Sequence, residues 1–145
     1  YSKLINILYE TAFNLASRRI GAIIVLERDV PLGDMTEKGV RINAEISQDL
    51  LATIFFPNTA LHDGAVIIDK DGRINAAGCV LPLANVARQH FGTRHRAAIG
   101  ITEVSDAISI AVSEERGEVT FAQNGQLSNP LTQERLARIL GNVLN

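Results

Sequence analysis

Disulfides and long apolar runs are absent from this 145-residue chain. Its one cysteine, Cys79, rules out a disulfide within the chain. Cys79 lies in an apolar run, which predicts a buried, unreactive thiol and a reducing, cytoplasmic compartment. No stretch approaches the roughly 18 uninterrupted apolar residues of a membrane span, and no signal-peptide pattern opens the chain. We therefore expect no membrane contact within these residues.

An excess of charge of either sign is also missing. The chain has 14 Lys and Arg against 16 Asp and Glu, for a net charge of −2. Such a chain has no overall field to attract nucleic acid or an anionic membrane, so nucleic acid is excluded as an expected partner. Any phosphate would have to be bound by local charge.

Linkers and repeats are absent too, and the 4 prolines and 11 glycines are not gathered into a flexible tract. Residues 1–145 are therefore expected to form one domain. Because the sequence starts at Tyr1 rather than at methionine, we expect it to be a piece of a longer protein. A membrane anchor upstream is compatible with that expectation.

Apolar periodicity predicts three main helices. The first is marked by Leu4, Leu8, Ala12 and Leu15, the second runs from Ser47 to about Phe56, and the last has an apolar face of Leu136, Ile139, Leu140 and Val143.

Strands are predicted between these helices. The apolar run from Gly21 to Arg28 is typical of a strand at the centre of a sheet. Hairpins are predicted for 65–68 with 73–81 around Asp71-Gly72, and for 108–112 with 119–121. Hairpins interspersed with helices predict an α/β (α+β-like) domain with a central mixed β-sheet flanked by helices.

The segment Gly92-Thr93-Arg94-His95-Arg96 places two arginines and a histidine where a further helix is predicted to begin. Thr93 is the predicted N-cap, followed by a buried stripe of Ala97, Ile101 and Val104. A helix N-terminus carries roughly +0.5 charge, so basic residues are unfavourable there unless an anion is bound. Backbone N–H groups and guanidinium groups directed at one anion predict a polyphosphate site.

Two other helix starts differ from this one. Ser47 and Thr132 are each followed by an acidic residue in the first turn, Asp49 and Glu134. The alternative for Arg94 and Arg96 is that they are surface arginines paired with acidic side chains.

Three more segments are candidates for the site: two carry polar groups that folding alone does not require, and the third is an apolar segment at the end of a strand. His62-Asp63-Gly64 precedes a buried strand, where Gly64 would allow close backbone approach, although Asp-Gly is also a common turn. Ser113-Glu114-Glu115 follows a strand and is alternatively a solvated hairpin tip. Cys79-Val80-Leu81-Pro82-Leu83 ends a strand and would line a base pocket or simply pack in the core.

Together these residues resemble the diadenylate cyclase (DAC) domain family, in particular its membrane-anchored type. Asp63-Gly64-Ala65 and Arg94-His95-Arg96, about 30 residues apart, resemble its two signature motifs. The resemblance extends over nearly the whole chain, in family order, through the segments 18–22, 57–59, 61–68, 81–83, 92–100 and 112–115.

The resemblance implies the DAC-domain fold and an enzyme that condenses two ATP molecules into the bacterial second messenger cyclic di-AMP. It implies catalytic roles for Asp63, Gly64, Ala65, Arg94, His95 and Arg96, and nucleotide contacts from Gly64, Leu81, Gly92, Thr93, Arg94, Arg96, Ser113 and Glu115. It implies metal contacts from His62 and Asp63. Some relatives carry an aromatic residue where Val80 stands, and segment 84–91 varies among them.

The implied chemistry leads to three expectations about cofactor and partners. A divalent ion is expected, with Mn²⁺ preferred and Co²⁺ or Mg²⁺ as other candidates, because imidazole and carboxylate together suit manganese. One pocket per domain cannot join two nucleotides symmetrically, so a face-to-face homodimer is expected. A regulatory protein partner is a further candidate.

Two other functions stay open at this point. A non-catalytic nucleotide sensor would use the same phosphate site, although an anion gains nothing from the nearby carboxylate of Asp63. An interaction domain would instead dock Arg94 and Arg96 on a partner's acidic surface. His62 has its own alternative, that of a hydrogen-bonded loop histidine.

Overall fold

A seven-stranded mixed sheet lies between two layers of helices in the computed structural model, which describes residues 2–85 and 92–144. Along the chain, the described elements are α1 (Ser2–Ser17), β1 (Ala22–Leu26), α2 (Gly33–Glu37), β2 (Val40–Glu45), α3 (Gln48–Phe55), β3 (Ala65–Ile68), β4 (Arg73–Cys79), α4 (Thr93–Glu103), β5 (Ile108–Val112), β6 (Val119–Gln123), β7 (Gln126–Leu127) and α5 (Gln133–Leu144).

The strand order is β2-β4-β3-β1-β5-β6-β7, which puts β1 at the centre. β1 is parallel to β3, and the other neighbouring strands are antiparallel. The central position of β1, both predicted hairpins and the mixed sheet are therefore confirmed. All five residues of β1 are buried because helices cover both faces of the sheet.

One face of the sheet is covered by α1, α3 and α5. Leu8, Ala12 and Leu15 of α1 are fully buried, which confirms the periodicity of the first helix. In α5, Leu136 and Leu140 are buried while Ile139 and Val143 are only partly covered. This larger core receives alternate strand residues, among them Ile24, Val66 and Ile110.

The other face is covered by α4 and the short helix α2. Ala97, Ala98 and Ile101 of α4 pack against Ile23 and Val25 of β1, in a core built largely from small residues. Small side chains let α4 approach the sheet closely. α4 also contacts β5, β6 and β7.

Two expectations about α4 are wrong. Its N-cap is Gly92 rather than Thr93, because Gly92 has an extended backbone (φ −75°, ψ 177°) while Thr93 is already helical. Val104 is 58% exposed and does not continue the buried stripe, because the helix ends at Glu103.

Three elements were not predicted from the sequence: α2, β2 and β7. β2 is an edge strand with only intermediate and exposed residues, and its sequence, Val-Arg-Ile-Asn-Ala-Glu, does alternate apolar and polar residues, a strand signal that the sequence interpretation missed. A bulge between Arg41 and Ala44, with Asn43 at φ 49°, interrupts its register. α2 and β7 are five and two residues long, too short for a periodic signal.

Candidate functional site

Four strand ends meet at one end of the sheet, which we call the polar end. β1 and β3 pair in parallel with Ile24 opposite Val66, so continuing the register sets Gly21 level with Asp63. By the same continuation, β5 brings Ser113 level with Gly21, and β4 brings Leu81 level with Asp63. Segments distant in sequence therefore lie side by side at the polar end.

Gly64 shapes the loop that carries Asp63. It has φ +108°, a conformation that side-chain-bearing residues rarely adopt. A Cβ atom on Gly64 would stand 2.7 Å from the carbonyl carbon of Gly78 and 3.0 Å from the backbone nitrogen of Cys79. The close approach expected at Gly64 is thus present. Asp63 is exposed just before the buried Ala65.

The start of α4 is not capped by a side chain within the described residues. Its first helical hydrogen bond runs from the Arg96 N–H to the Gly92 oxygen, at 3.1 Å. By contrast, Ser47 caps α3 by accepting from the Leu50 N–H, and Thr132 accepts from the Arg135 N–H. With respect to residues 2–85 and 92–144, the backbone N–H groups of the first turn of α4 and the positive helix end are therefore available to an anion.

Arg94 lies at the polar end between a glycine backbone and a carboxylate. Its guanidinium carbon would stand 2.4 Å from a Cβ atom on Gly21, so the group rests directly over that residue. Its Nη1 donates to Oε1 of Glu114 at 3.1 Å. The alternative of an arginine paired with an acidic side chain therefore holds for Arg94.

Arg96 is oriented by main-chain contacts instead. Its Nε donates to the Ala84 oxygen at 3.1 Å, and its own carbonyl accepts from the Ala84 N–H at 2.9 Å. These bonds fasten the segment after β4 to the first turn of α4. Guanidinium groups have five N–H donors, so one bond to Ala84 leaves most of them for a ligand.

His95 stands between the two arginines in sequence and is partly buried. Burial lowers the pKa of its imidazole below the ordinary value of 6.5, Glu118 opposes that shift, and Arg94 and Arg116 add to it. The neutral form of His95 is therefore favoured near pH 7.

His62 has one ring nitrogen engaged by the main chain. Nδ1 lies 2.8 Å from the Thr59 carbonyl oxygen, and a carbonyl can only accept, so Nδ1 donates. In the neutral ring Nε2 then carries the lone pair, as in metal-binding histidines whose other nitrogen is held by the protein. The alternative of a hydrogen-bonded loop histidine is equally consistent with this contact.

His62 and the adjacent Asp63 together offer one nitrogen and one carboxylate, a donor pair that suits manganese. The described residues contain no cluster of three or more His, Cys, Asp or Glu able to hold a metal ion. The chain therefore fits a divalent ion only as a partial ligand set, of the kind completed by substrate phosphates and water.

The hairpin between β5 and β6 brings Ser113, Glu114 and Glu115 to the polar end. The Ser113 hydroxyl accepts from the Arg116 N–H at 3.2 Å, and the Glu115 carbonyl accepts from the Arg19 side chain. Glu114 and Glu115 are exposed, as the solvated-tip alternative expects.

The end of β4 supplies an apolar border to the site. Leu81 is 5% exposed, whereas Val80 is 69% exposed and Leu83 48% exposed. The Cys79 thiol is buried and free, as predicted, and burial raises its pKa to about 11. Most of the variable segment, residues 86–91, lies outside the described residues.

Comparison with known proteins shows to which family this chain belongs. The profile of the DAC family, described as the DisA bacterial checkpoint controller nucleotide-binding family, matches residues 9–127. A crystal structure of a double mutant of DacA from Staphylococcus aureus superposes with a TM-score of 0.93 at 42% identity, covering 97% of this chain and 94% of that one. This chain belongs to the DAC family.

Two curated relatives align with most of this chain. The cyclic di-AMP synthase CdaA of Bacillus subtilis is 52% identical over 128 residues, which is 87% of this chain and 46% of CdaA. A diadenylate cyclase of Listeria monocytogenes is 48% identical with the same coverage. The DAC chain thus spans about half the length of these relatives. No helix among residues 2–85 and 92–144 is long and apolar enough to cross a bilayer.

The sequence interpretation missed three contributors to this DAC site. Gly21 supports the Arg94 guanidinium, Glu114 pairs with it, and Ala84 orients Arg96. Two of them left a signal, since Gly21 is a glycine directly before a buried strand and Glu114 belongs to the polar segment Ser113-Glu114-Glu115. Ala84 left none, because its role depends on a tertiary contact.

Proposed function

We propose that this DAC-family chain is a diadenylate cyclase, which condenses two ATP into cyclic di-AMP and two pyrophosphates. The observation that carries the proposal is the uncapped start of α4, with Arg94 and Arg96, at the same end of the sheet as Asp63. The names of relatives at 48% and 52% identity support it.

The reaction makes two phosphodiester bonds. In each, a ribose 3′-oxygen loses its proton and bonds to the α-phosphorus of the other nucleotide, while the bond to the β-phosphate oxygen breaks and pyrophosphate leaves. Charge spreads over the phosphate oxygens, so cations and N–H donors stabilise the transition state.

The triphosphate would be held by α4 and its neighbours. Arg94 and Arg96 supply guanidinium donors already oriented by Gly21 and Ala84, and Thr93 adds a hydroxyl and a backbone N–H. Preorganised donors need little rearrangement when charge develops. Gly92, Ser113 and Glu115 complete the proposed phosphate border, and His95 belongs to the same motif.

The nucleoside end would lie along the strands. Gly64 and Ala65 would border the nucleotide, as the resemblance to the DAC motif implies, and Leu81 would contact adenine through its backbone. Val80 is exposed beside it, so ring stacking on an aromatic side chain is not available at this position.

Asp63 has two candidate roles in this reaction. It would take the proton of the attacking 3′-hydroxyl, or it would bind the catalytic ion together with His62. That ion, Mn²⁺ by preference, would supply positive charge to the phosphates. The same carboxylate is unfavourable for a site that only binds anions.

We further propose that two chains act face to face, each presenting its ATP to the other, because one site cannot join two nucleotides symmetrically. Activity per chain should then fall on dilution below the dimer dissociation constant. A monomer that still makes cyclic di-AMP would overturn this arrangement. A membrane anchor elsewhere in the whole protein and a regulatory partner stay predictions.

The test compares wild type with Asp63→Asn, incubated with ATP and Mn²⁺, with products resolved by chromatography and mass spectrometry. Cyclic di-AMP and pyrophosphate from wild type alone, with ATP binding retained in the variant, support the enzyme. ATP bound but intact at all protein concentrations and with every ion supports the sensor instead. An interaction domain would show no rise in melting temperature with ATP.

A further inference from the structure

Glu114 is the acidic partner of the arginine that begins α4. Its Oε1 accepts from Arg94 Nη1 at 3.1 Å, and the two side chains are 58% and 29% exposed. The Arg94 guanidinium is also in contact with the Gly21 backbone. Arg94 is thus held by the Gly21 main chain on one side and by the Glu114 carboxylate at its end.

The position of Glu114 follows from a defined turn rather than from a loose tip. The Gly117 N–H donates to the Ser113 oxygen at 2.9 Å, and the Ser113 N–H donates to the Glu118 oxygen at 2.9 Å. The Arg19 side chain holds the Glu115 carbonyl from the other side. Glu114 is therefore presented to Arg94 by the same hairpin that brings Ser113 to the polar end.

The contact with Glu114 leaves Arg94 able to bind a ligand. It uses one of the five guanidinium N–H groups, so the others can still donate to phosphate oxygens. The charge of Glu114 nevertheless opposes phosphate binding at Arg94, because a carboxylate within about 4 Å of the guanidinium repels a polyphosphate bound there. Glu114 therefore weakens phosphate binding without blocking it.

We propose that Glu114 sets the strength with which Arg94 holds polyphosphate, keeping affinity low enough for pyrophosphate to leave after each bond is made. The proposal rests on the proposed function, since only an enzyme needs to release this product. Glu114 acts through Arg94 and is a positioning residue.

The test replaces Glu114 with glutamine, which keeps the size and an acceptor oxygen but removes the charge. We expect affinity for sodium tripolyphosphate and for pyrophosphate, measured by calorimetry without metal, to rise about fivefold. The matched control is Glu103→Gln, which removes the same charge at the far end of α4 and should leave affinity unchanged. Equal melting temperatures verify that both variants are folded.

The kinetic readout separates this role from a structural one. Glu114→Gln should lower KM for ATP and strengthen inhibition by pyrophosphate without raising kcat. If wild type binds tripolyphosphate and Glu114→Gln binds it equally or more weakly, the proposed role of Glu114 is overturned, but the proposed function is not. A wild type that binds neither tripolyphosphate nor ATP overturns the proposed function as well.

Discussion

Gly100 of α4 and Pro82 lie in direct backbone contact. A Cβ atom on Gly100 would stand 1.9 Å from the Pro82 carbonyl oxygen and 2.9 Å from the Ala84 nitrogen. Backbone atoms cannot move aside as the end of a side chain can. The segment that carries Leu81 therefore rests on α4 only because residue 100 has no side chain.

Gly100→Ala should consequently destabilise the protein even though alanine favours helices. We expect a loss of about 2 kcal/mol in the free energy of unfolding, from overpacking against Pro82. Gly141→Ala in α5 is the matched control, because nothing lies within 4 Å of its Cβ position. That variant should gain up to about 1 kcal/mol from helix propensity. Chemical denaturation measures both, and equal effects would contradict the contact.

Gly21→Ala tests whether the Gly21 backbone holds the Arg94 guanidinium in place, with little expected effect on the stability of the fold. The new methyl group would meet the end of a flexible arginine, which can swing away, so the melting temperature should hardly change. ATP affinity should fall about tenfold because Arg94 loses its position. Gly33→Ala, with nothing within 4 Å, serves as the control. Undiminished ATP binding by Gly21→Ala would show that Arg94 does not need this surface.

His95 should make stability depend on pH. Burial lowers its pKa in the folded protein below 6.5, so the unfolded chain takes up a proton first as pH falls. The free energy of unfolding should therefore decrease as pH drops below about 6.5, until the folded-state pKa is passed. His95→Gln should flatten this part of the curve. An imidazole that titrates at or above 6.5 in NMR spectra would contradict the expected direction.

Ser109→Ala should raise stability. The Ser109 hydroxyl in β5 is fully buried and has no hydrogen-bond partner within the described residues. Removing it eliminates the cost of burying an unsatisfied polar group, a gain of up to about 1 kcal/mol. Thr102→Val is the contrasting variant, because its hydroxyl accepts from the Gly125 N–H and donates to the Ile99 oxygen. Thermal unfolding should move the two melting temperatures in opposite directions.

Apolar periodicity predicted the elements with strong patterns, such as α1 and β1. It could not predict α2 and β7, which are too short to show a period, whereas β2 alternates apolar and polar residues over six positions and was missed although this strand signal is present. At the start of α4, composition indicated an anion site, but the choice between Gly92 and Thr93 as N-cap depends on backbone angles.

The candidate site, like the fold, was predicted from the sequence only in part. Asp63, Arg94 and Arg96 stood out because their residue types are unusual for their local elements. Glu114 stood out as part of a polar segment, but its pairing with Arg94 spans 20 residues of sequence, and Ala84 did not stand out because its contact with Arg96 spans 12. Local patterns therefore predicted which groups carry charge, and tertiary structure determines how those groups are held.

The central place of β1 also affects how the protein is made. Ala22 pairs with Val112, so the polar end is incomplete until a strand 90 residues later has been synthesised. Pairings this distant form slowly, because a long loop must close first. A nascent chain that has not yet exposed β5 lacks both the Ser113 hairpin and the part of the sheet under α4 that β5, β6 and β7 form. Nucleotide affinity should therefore arise abruptly, late in translation, when β5 docks against β1.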